Sequence, residues 1–210
     1  MILEAHVVGP LQVNSFIVGC EVSKAALVID PGEEGERILA RLAALGLQLK
    51  MIINTHGHFD HIGANRLLMD SASGVELLIH GADAALFPKA QEHGRKYGLE
   101  VRISPSPTRL LQGGETITVG TLQIQVIATP GHTPGGISLL IDDHLFSGDT
   151  LFADSVGRTD LPGGDHDTLV ASIRQELFIL PDETIVHPGH GPDTTIGREK
   201  KLNPYVGIGA

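Results

Sequence analysis

Cysteine is nearly absent. Cys20 is the single one in 210 residues, which excludes an intramolecular disulfide, a cysteine-rich zinc module and a CxxC redox pair. It ends the apolar stretch Ser15-Phe16-Ile17-Val18-Gly19 and reads as a buried structural thiol. Basic side chains are also scarce. Fifteen Lys and Arg against 25 Asp and Glu leave a formal charge of −10, the wrong sign for a general nucleic-acid binder and a better fit to a small-molecule partner. No window reaches the ~18 to 20 continuous apolar residues of a membrane span. The start, Met1-Ile2-Leu3-Glu4-Ala5-His6, has no basic n-region, so the expected location is cytoplasmic, with no membrane partner. There is no G-x-S-x-G elbow and no Walker loop. Short-period repeats and low-complexity tracts are missing too. Ser104-Pro105-Ser106-Pro107 is too short to be a linker. At ~150 residues per domain, residues 1–210 are expected to form one domain.

What is present is ordered. Apolar runs rich in β-branched residues at Ile2 to Val8, Val13 to Cys20 and Ala25 to Ile29 predict three consecutive strands. Asp30-Pro31-Gly32 is turn chemistry, and Ile38, Leu39, Leu42 and Leu45 recur at helical spacing until Gly46. Leu49 to Thr55 predicts a strand, Ala64 to Met69 a short helix, Leu77 to Ile79 a buried strand, and Ala82 to Tyr97 a helix broken by Pro88. From Gly113 the pattern changes to antiparallel hairpins over Thr116 to Val119, Leu122 to Ala128, Ile137 to Ile141 and His144 to Phe146. A helix over Thr168 to Leu180 and a last strand over Thr184 to Val186 follow. Two packed mixed sheets with helices on their outer faces would bury all these runs, an α/β fold with four αββα layers.

Histidine is over-supplied, with 11 in the chain. Four predicted strands end alike, in an apolar run, a few small residues, a glycine and then a metal-ligand type. These are Ile53 to Gly57-His58, Ile127 to Gly131-His132, Phe146 to Gly148-Asp149, and Ile185 to Gly189-His190. If these ends lie together, His58, His132, Asp149 and His190 converge. The densest piece is Thr55-His56-Gly57-His58-Phe59-Asp60-His61. In extended chain His56 and His58 project to one side and can chelate one cation, while Asp60 and His61, past the bend, can face a second. Imidazole and carboxylate ligands without cysteine suit a catalytic site for zinc, with iron or manganese as alternatives. Seven ligands are too many for one tetrahedral ion and fit two. Asp60, a bridging Asp149 and a bridging hydroxide leave such a pair slightly positive, which favours anionic or carbonyl-bearing substrates. The ions lower the pKa of a bound water from about 15.7 toward ~7, so hydrolysis needs no serine or cysteine nucleophile.

These residues resemble the metallo-β-lactamase-fold hydrolases, specifically short glyoxalase II-like members. His56, His58, Asp60, His61, His132, Asp149 and His190 follow the order of that family's ligands, and Val28-Ile29-Asp30-Pro31-Gly32 is similar to its early Asp-Pro-Gly turn. Gly157 to Asp165 and the tail from Gly191 to Tyr205 are similar to the same branch. The resemblance implies the αββα sandwich, one metal on His56, His58 and His132, another on Asp60, His61 and His190, and Asp149 between them. Asp60 and Asp149 become the catalytic carboxylates, and a metal-bridging hydroxide attacks a thioester such as S-lactoylglutathione. Arg158, Arg198, Lys201 and Tyr205 are candidate substrate contacts, and His187 a support for a ligand. Persulfide dioxygenases resemble the chain too and use one iron at the equivalents of His56, His132 and Asp149. Lactone hydrolysis is a further alternative. A metal-stabilised binding module is disfavoured, because a structural site needs no open coordination position.

Overall fold

Strands whose two faces are both apolar need cover on both sides. The structure, a computed structural model that describes residues 1–209, supplies it with two six-stranded sheets packed face to face and helices outside. The first sheet follows chain order: β1 (Ile2–Val8), β2 (Val13–Gly19), β3 (Ala25–Ile29), β4 (Gln48–Ile53), β5 (Glu76–His80) and β6 (Arg109–Leu111). Hairpins join β1 to β3, and from β3 onward the pairing is parallel. The crossovers carry α1 (Gly35–Ala44), then α2 (Phe59–Ile62) and α3 (Asn65–Ser71), then a 3₁₀ segment (Gly81–Lys89) and α4 (Ala90–Lys96).

The second sheet contains β7 (Thr116–Val119), β8 (Leu122–Ala128), β9 (Ile137–Ile141) and β10 (His144–Gly148) as an antiparallel meander. A small ribbon of β11 (Leu151–Phe152) and β12 (Ser155–Val156) and then α5 (His166–Ser172) lead to β13 (Ile185–Pro188), which pairs parallel with β10. β14 (Thr194–Thr195) borders β13, and α6 (Ile196–Leu202) follows.

The period-2 alternation of strands sorts the core. In β3, Ala26 and Val28 face the helical layer while Leu27 and Ile29 face the other sheet, and β5 and, past a register shift between Leu49 and Met51, β4 alternate in the same way. Phe16 and Phe146 meet edge to face between the sheets at 5.0 Å. On the far side, Leu145 and Val186 pack against Leu169, Ile173 and Ile196. Phe146 is fully buried, so Phe146→Ala is expected to cost about 3–5 kcal/mol, read as a lower denaturation midpoint with unchanged m-value.

The layers and most predicted strands stand where the pattern put them. Three differences have physical causes. The expected helix over 82–97 is a 3₁₀ stretch followed by α4, because Pro88 has no N–H to donate. The expected helix over 168–180 begins at His166, where the Asp165 side chain accepts from Thr168 N at 2.7 Å, and it ends in a π turn over Ile173–Leu177. The sequence pattern also misses α6, which docks through a charge. Buried Glu199 accepts from Thr194 Oγ1 at 2.6 Å, Asp154 N at 2.9 Å and Asn203 Nδ2 at 2.9 Å. Among the described residues no helix is long and apolar enough to cross a membrane.

Candidate metal centre

Parallel pairing of β10 with β13 brings the ends of β4, β8, β10 and β13 to one rim of the sandwich. The loop after β4 presents His56 and His58, and α2 continues it with Asp60 and His61. His132 follows β8, Asp149 follows β10 and His190 follows β13. The last loop is fastened by β2: Asn14 N donates to Gly189 O at 2.7 Å, and Asn14 Nδ2 donates to Pro188 O at 2.9 Å and to Gly191 O at 2.8 Å. Gly189 has to be glycine, because a β-carbon there would sit 2.3 Å from Asp149 Oδ1 and 2.8 Å from His61 Cε1.

All seven sequence-predicted ligands meet at this rim, six of them in two groups of three. Ligand atoms of His56, His58 and His132 lie within 4.8 Å of one another, as do those of Asp60, His61 and His190. Asp149 stands between the groups, with Oδ1 3.5 Å from His61 Nε2 and Oδ2 3.6 Å from both His132 Nε2 and His190 Nε2. Asp60 Oδ2 is 3.5 Å from His190 Nε2 and 3.7 Å from His61 Nε2.

Hydrogen bonds aim these rings from behind. Asp30, buried at the end of β3 with φ of +47°, accepts from Thr55 N at 2.7 Å, Thr55 Oγ1 at 2.6 Å and His61 Nδ1 at 3.1 Å. Since the Thr55 hydroxyl donates to Asp30, it accepts from His56 Nδ1 at 3.1 Å. One carboxylate therefore orients two imidazoles, one of them through a hydroxyl, and leaves both Nε2 atoms facing inward. His132 Nδ1 donates to Arg158 O at 2.7 Å, which turns its Nε2 to the same space. Asp30 and Asn14 were not expected as parts of the site. The signals for Asp30 were an acidic residue closing an otherwise apolar strand and its place in the Asp-Pro-Gly turn.

Whether a metal pair fits can be judged from the unsatisfied atoms. His56 Nε2, His61 Nε2 and Asp149 Oδ1 are buried without a hydrogen-bond partner. Buried polar atoms are normally paired, and these three orphaned atoms, from the β4 loop, α2 and the β10 loop, are donors that bound cations would complete. The titration behaviour agrees. Burial, reinforced by the neighbouring His132, pushes His58 down to about 3. Burial and the surrounding imidazoles hold His56 well below the ordinary histidine range. Burial opposes charge on His61 as well, but Asp149, Asp60 and Asp30 outweigh it and push it up to about 10. A proton on His61 thus occupies part of the place a metal ion would take.

The expected substrate contacts are placed differently. Arg158 lies beside the centre through its backbone bond to His132, and its half-exposed guanidinium makes a bidentate pair with Asp160 at 2.7 and 2.8 Å. Arg198 turns to Asp154 at 2.7 Å and Glu199 at 2.6 Å, and Lys201 is 3.9 Å from Asp182. Both therefore lie beside carboxylates near α6. Tyr205 is exposed on the C-terminal segment, where its N–H donates to Asn203 Oδ1 at 3.0 Å. His187 packs on Phe16 and Phe146 and binds Asp193 at 3.0 Å through Nδ1, bracing the loop that carries His190.

Comparison with known proteins agrees with this geometry. Hydroxyacylglutathione hydrolase GloC of Haemophilus influenzae is 38% identical over 204 residues, spanning 93% of this chain and 96% of that protein. The crystal structure of BLEG-1 B3 metallo-beta-lactamase superposes with a TM-score of 0.91 at 37% identity, covering 98% of this chain and 99% of the other. TTHA1623 in a di-iron-bound form gives 0.88 at 40% identity, covering 96% and 99%. The pattern of the metallo-beta-lactamase superfamily matches residues 8–190, and with its sandwich and its His/Asp cluster the chain belongs to that superfamily.

Proposed function

We propose that the protein is a binuclear metallohydrolase that cleaves thioesters, S-lactoylglutathione among them. The observation that carries this reading is the convergence of seven ligand side chains around three buried, unpartnered atoms, His56 Nε2, His61 Nε2 and Asp149 Oδ1. His56, His58 and His132 would hold one ion, Asp60, His61 and His190 the other, and Asp149 both. Such ions supply Lewis acidity and a water of lowered pKa at neutral pH. The chain's own residues do the positioning: Asp30 sets His61 directly and His56 through Thr55, and the Arg158 carbonyl sets His132. The Arg158 guanidinium is available at the rim for an anionic end of the substrate, which would replace Asp160 as its partner.

The superfamily alone does not choose the substrate, as the names of the three relatives show. Leaving-group chemistry favours the thioester. A thiol of pKa ~8.5 departs as thiolate without a proton donor, whereas an amide nitrogen must be protonated as it leaves. The name of the Haemophilus influenzae relative points the same way. The test is turnover of a panel comprising S-lactoylglutathione, a lactone, a β-lactam and glutathione persulfide, alongside elemental analysis of the metal. Thioester turnover that is fastest of the panel and lost with a chelator is expected. Chelator-resistant activity, or oxygen consumption with the persulfide and no thioester cleavage, would overturn the reading.

A further inference from the structure

We infer that Asp83 is a positioning residue for the three-histidine half of the metal centre. The inference rests on the metal-centre reading above and concerns a group outside the ligand set. Asp83 lies in the 3₁₀ segment after β5, fully buried. Its two carboxylate oxygens divide between two loops. Oδ2 accepts from Gly57 N at 2.9 Å and Oδ1 from Gly135 N at 2.7 Å. Gly57 sits between His56 and His58, and Gly135 lies three residues beyond His132. A single side chain therefore ties the loop carrying two histidines of one sheet to the loop carrying the third from the other.

The close approach is built into both loops. A β-carbon at Gly57 would be 2.9 Å from Asp83 O, and one at Gly135 would be 2.7 Å from Asp83 Oδ1. Asp83 touches neither His61 nor His190, whose loops are held by Asp30 and Asn14 instead. Asp30 serves both halves, directly at His61 and through Thr55 at His56, whereas Asp83 bonds only to the loops of the three-histidine half, so removing it should loosen that ion more than the other. Groups that orient ligands in this way typically change metal affinity by about 10–100-fold.

The experiment is a zinc titration of the metal-free full-length protein and of Asp83→Asn, followed through the histidine ring NMR signals. An amide at position 83 keeps the shape but accepts from only one of the two N–H groups, leaving the other orphaned. In Asp83→Asn the His58 and His132 signals are expected to saturate at about 10–100-fold higher free zinc, while those of His61 and His190 titrate as in the wild type. Equal weakening of both sets means a general structural role and overturns the inference, as does no weakening at all. Wild-type rings that ignore zinc overturn the metal-centre reading itself, and this inference with it. If the variant does not fold, amide exchange in the wild type decides. Binding and loop ordering are reciprocal, so zinc must slow exchange at both Gly57 and Gly135, and the absence of slowing at either overturns the inference.

Discussion

Asp149→Ala is expected to slow thioester hydrolysis by at least about 10³-fold. Asp149 stands between the two ligand groups, at 3.5 Å from His61 Nε2 and 3.6 Å from His132 and His190 Nε2. Alanine removes a negative charge from between the two positions and, on the proposed reading, a ligand from each. Charge stabilisation by a metal pair is worth several kcal/mol, and each 1.36 kcal/mol is about tenfold in rate. The check is kcat with saturating substrate and added zinc. Retention of more than a tenth of wild-type kcat with full metal content would mean that Asp149 does not connect the two positions.

Metal removal should produce the second large effect, and its pH dependence has a definite sign. At zinc about 1,000-fold above Kd, a ligand that binds only the folded chain stabilises it by ~4 kcal/mol, or about 8–16 °C in Tm for a chain of this size. In the metal-free protein three groups then dominate. His61, pushed up to about 10, holds a proton in the folded state. Its contribution is complete below the unfolded value of about 6.5 and fades as pH rises through 10. His58, pushed down to about 3, and His56 behave oppositely. Below about pH 6.5 the unfolded chain binds protons that the folded one refuses, so stability falls on acidification. From pH 7 to pH 5, His58 alone accounts for a loss of about 2 kcal/mol. Thermal melts of chelated protein across pH 5 to 9 should show this acid slope. Calorimetry in buffers of different ionisation enthalpy should register at least one proton released per chain on zinc loading at pH 7, from His61, with His190 and metal-bound water adding to it. Release of no proton would show that His61 is not the cation-bearing group of the empty site.

Much of the site was legible because it is local. His56, His58, Asp60 and His61 lie within six residues, and no packing argument is needed to see them as one chelating unit. The other three ligands were readable only as a recurring strand-end pattern. Their meeting depends on β13 joining β10 in parallel, a pairing that no single segment encodes. The layers were legible because continuous apolar runs such as those of β2 and β3 report which strands are covered on both faces. Asp30, Asn14 and Asp83 were not, since a buried polar side chain that serves distant backbone groups has the same sequence signature as an ordinary turn residue. The tail was opaque for a related reason: α6 docks through Glu199 rather than through an apolar stripe, so hydrophobic periodicity has nothing to show. Arg198 and Lys201, which look like free anion binders in a linear reading, stand beside carboxylates, Arg198 with Asp154 and Glu199 and Lys201 with Asp182.

The seam between the two sheets runs through both coordination sets. His56 and His58 come from one sheet's loops and His132 from the other's, and Asp60 and His61 face His190 across the same divide. Each cation would therefore act as a rivet through the sandwich, fastened on both plates. Slippage of one plate against the other would open both rivets together, so metal occupancy gauges how firmly the halves are clamped as well as readiness for chemistry.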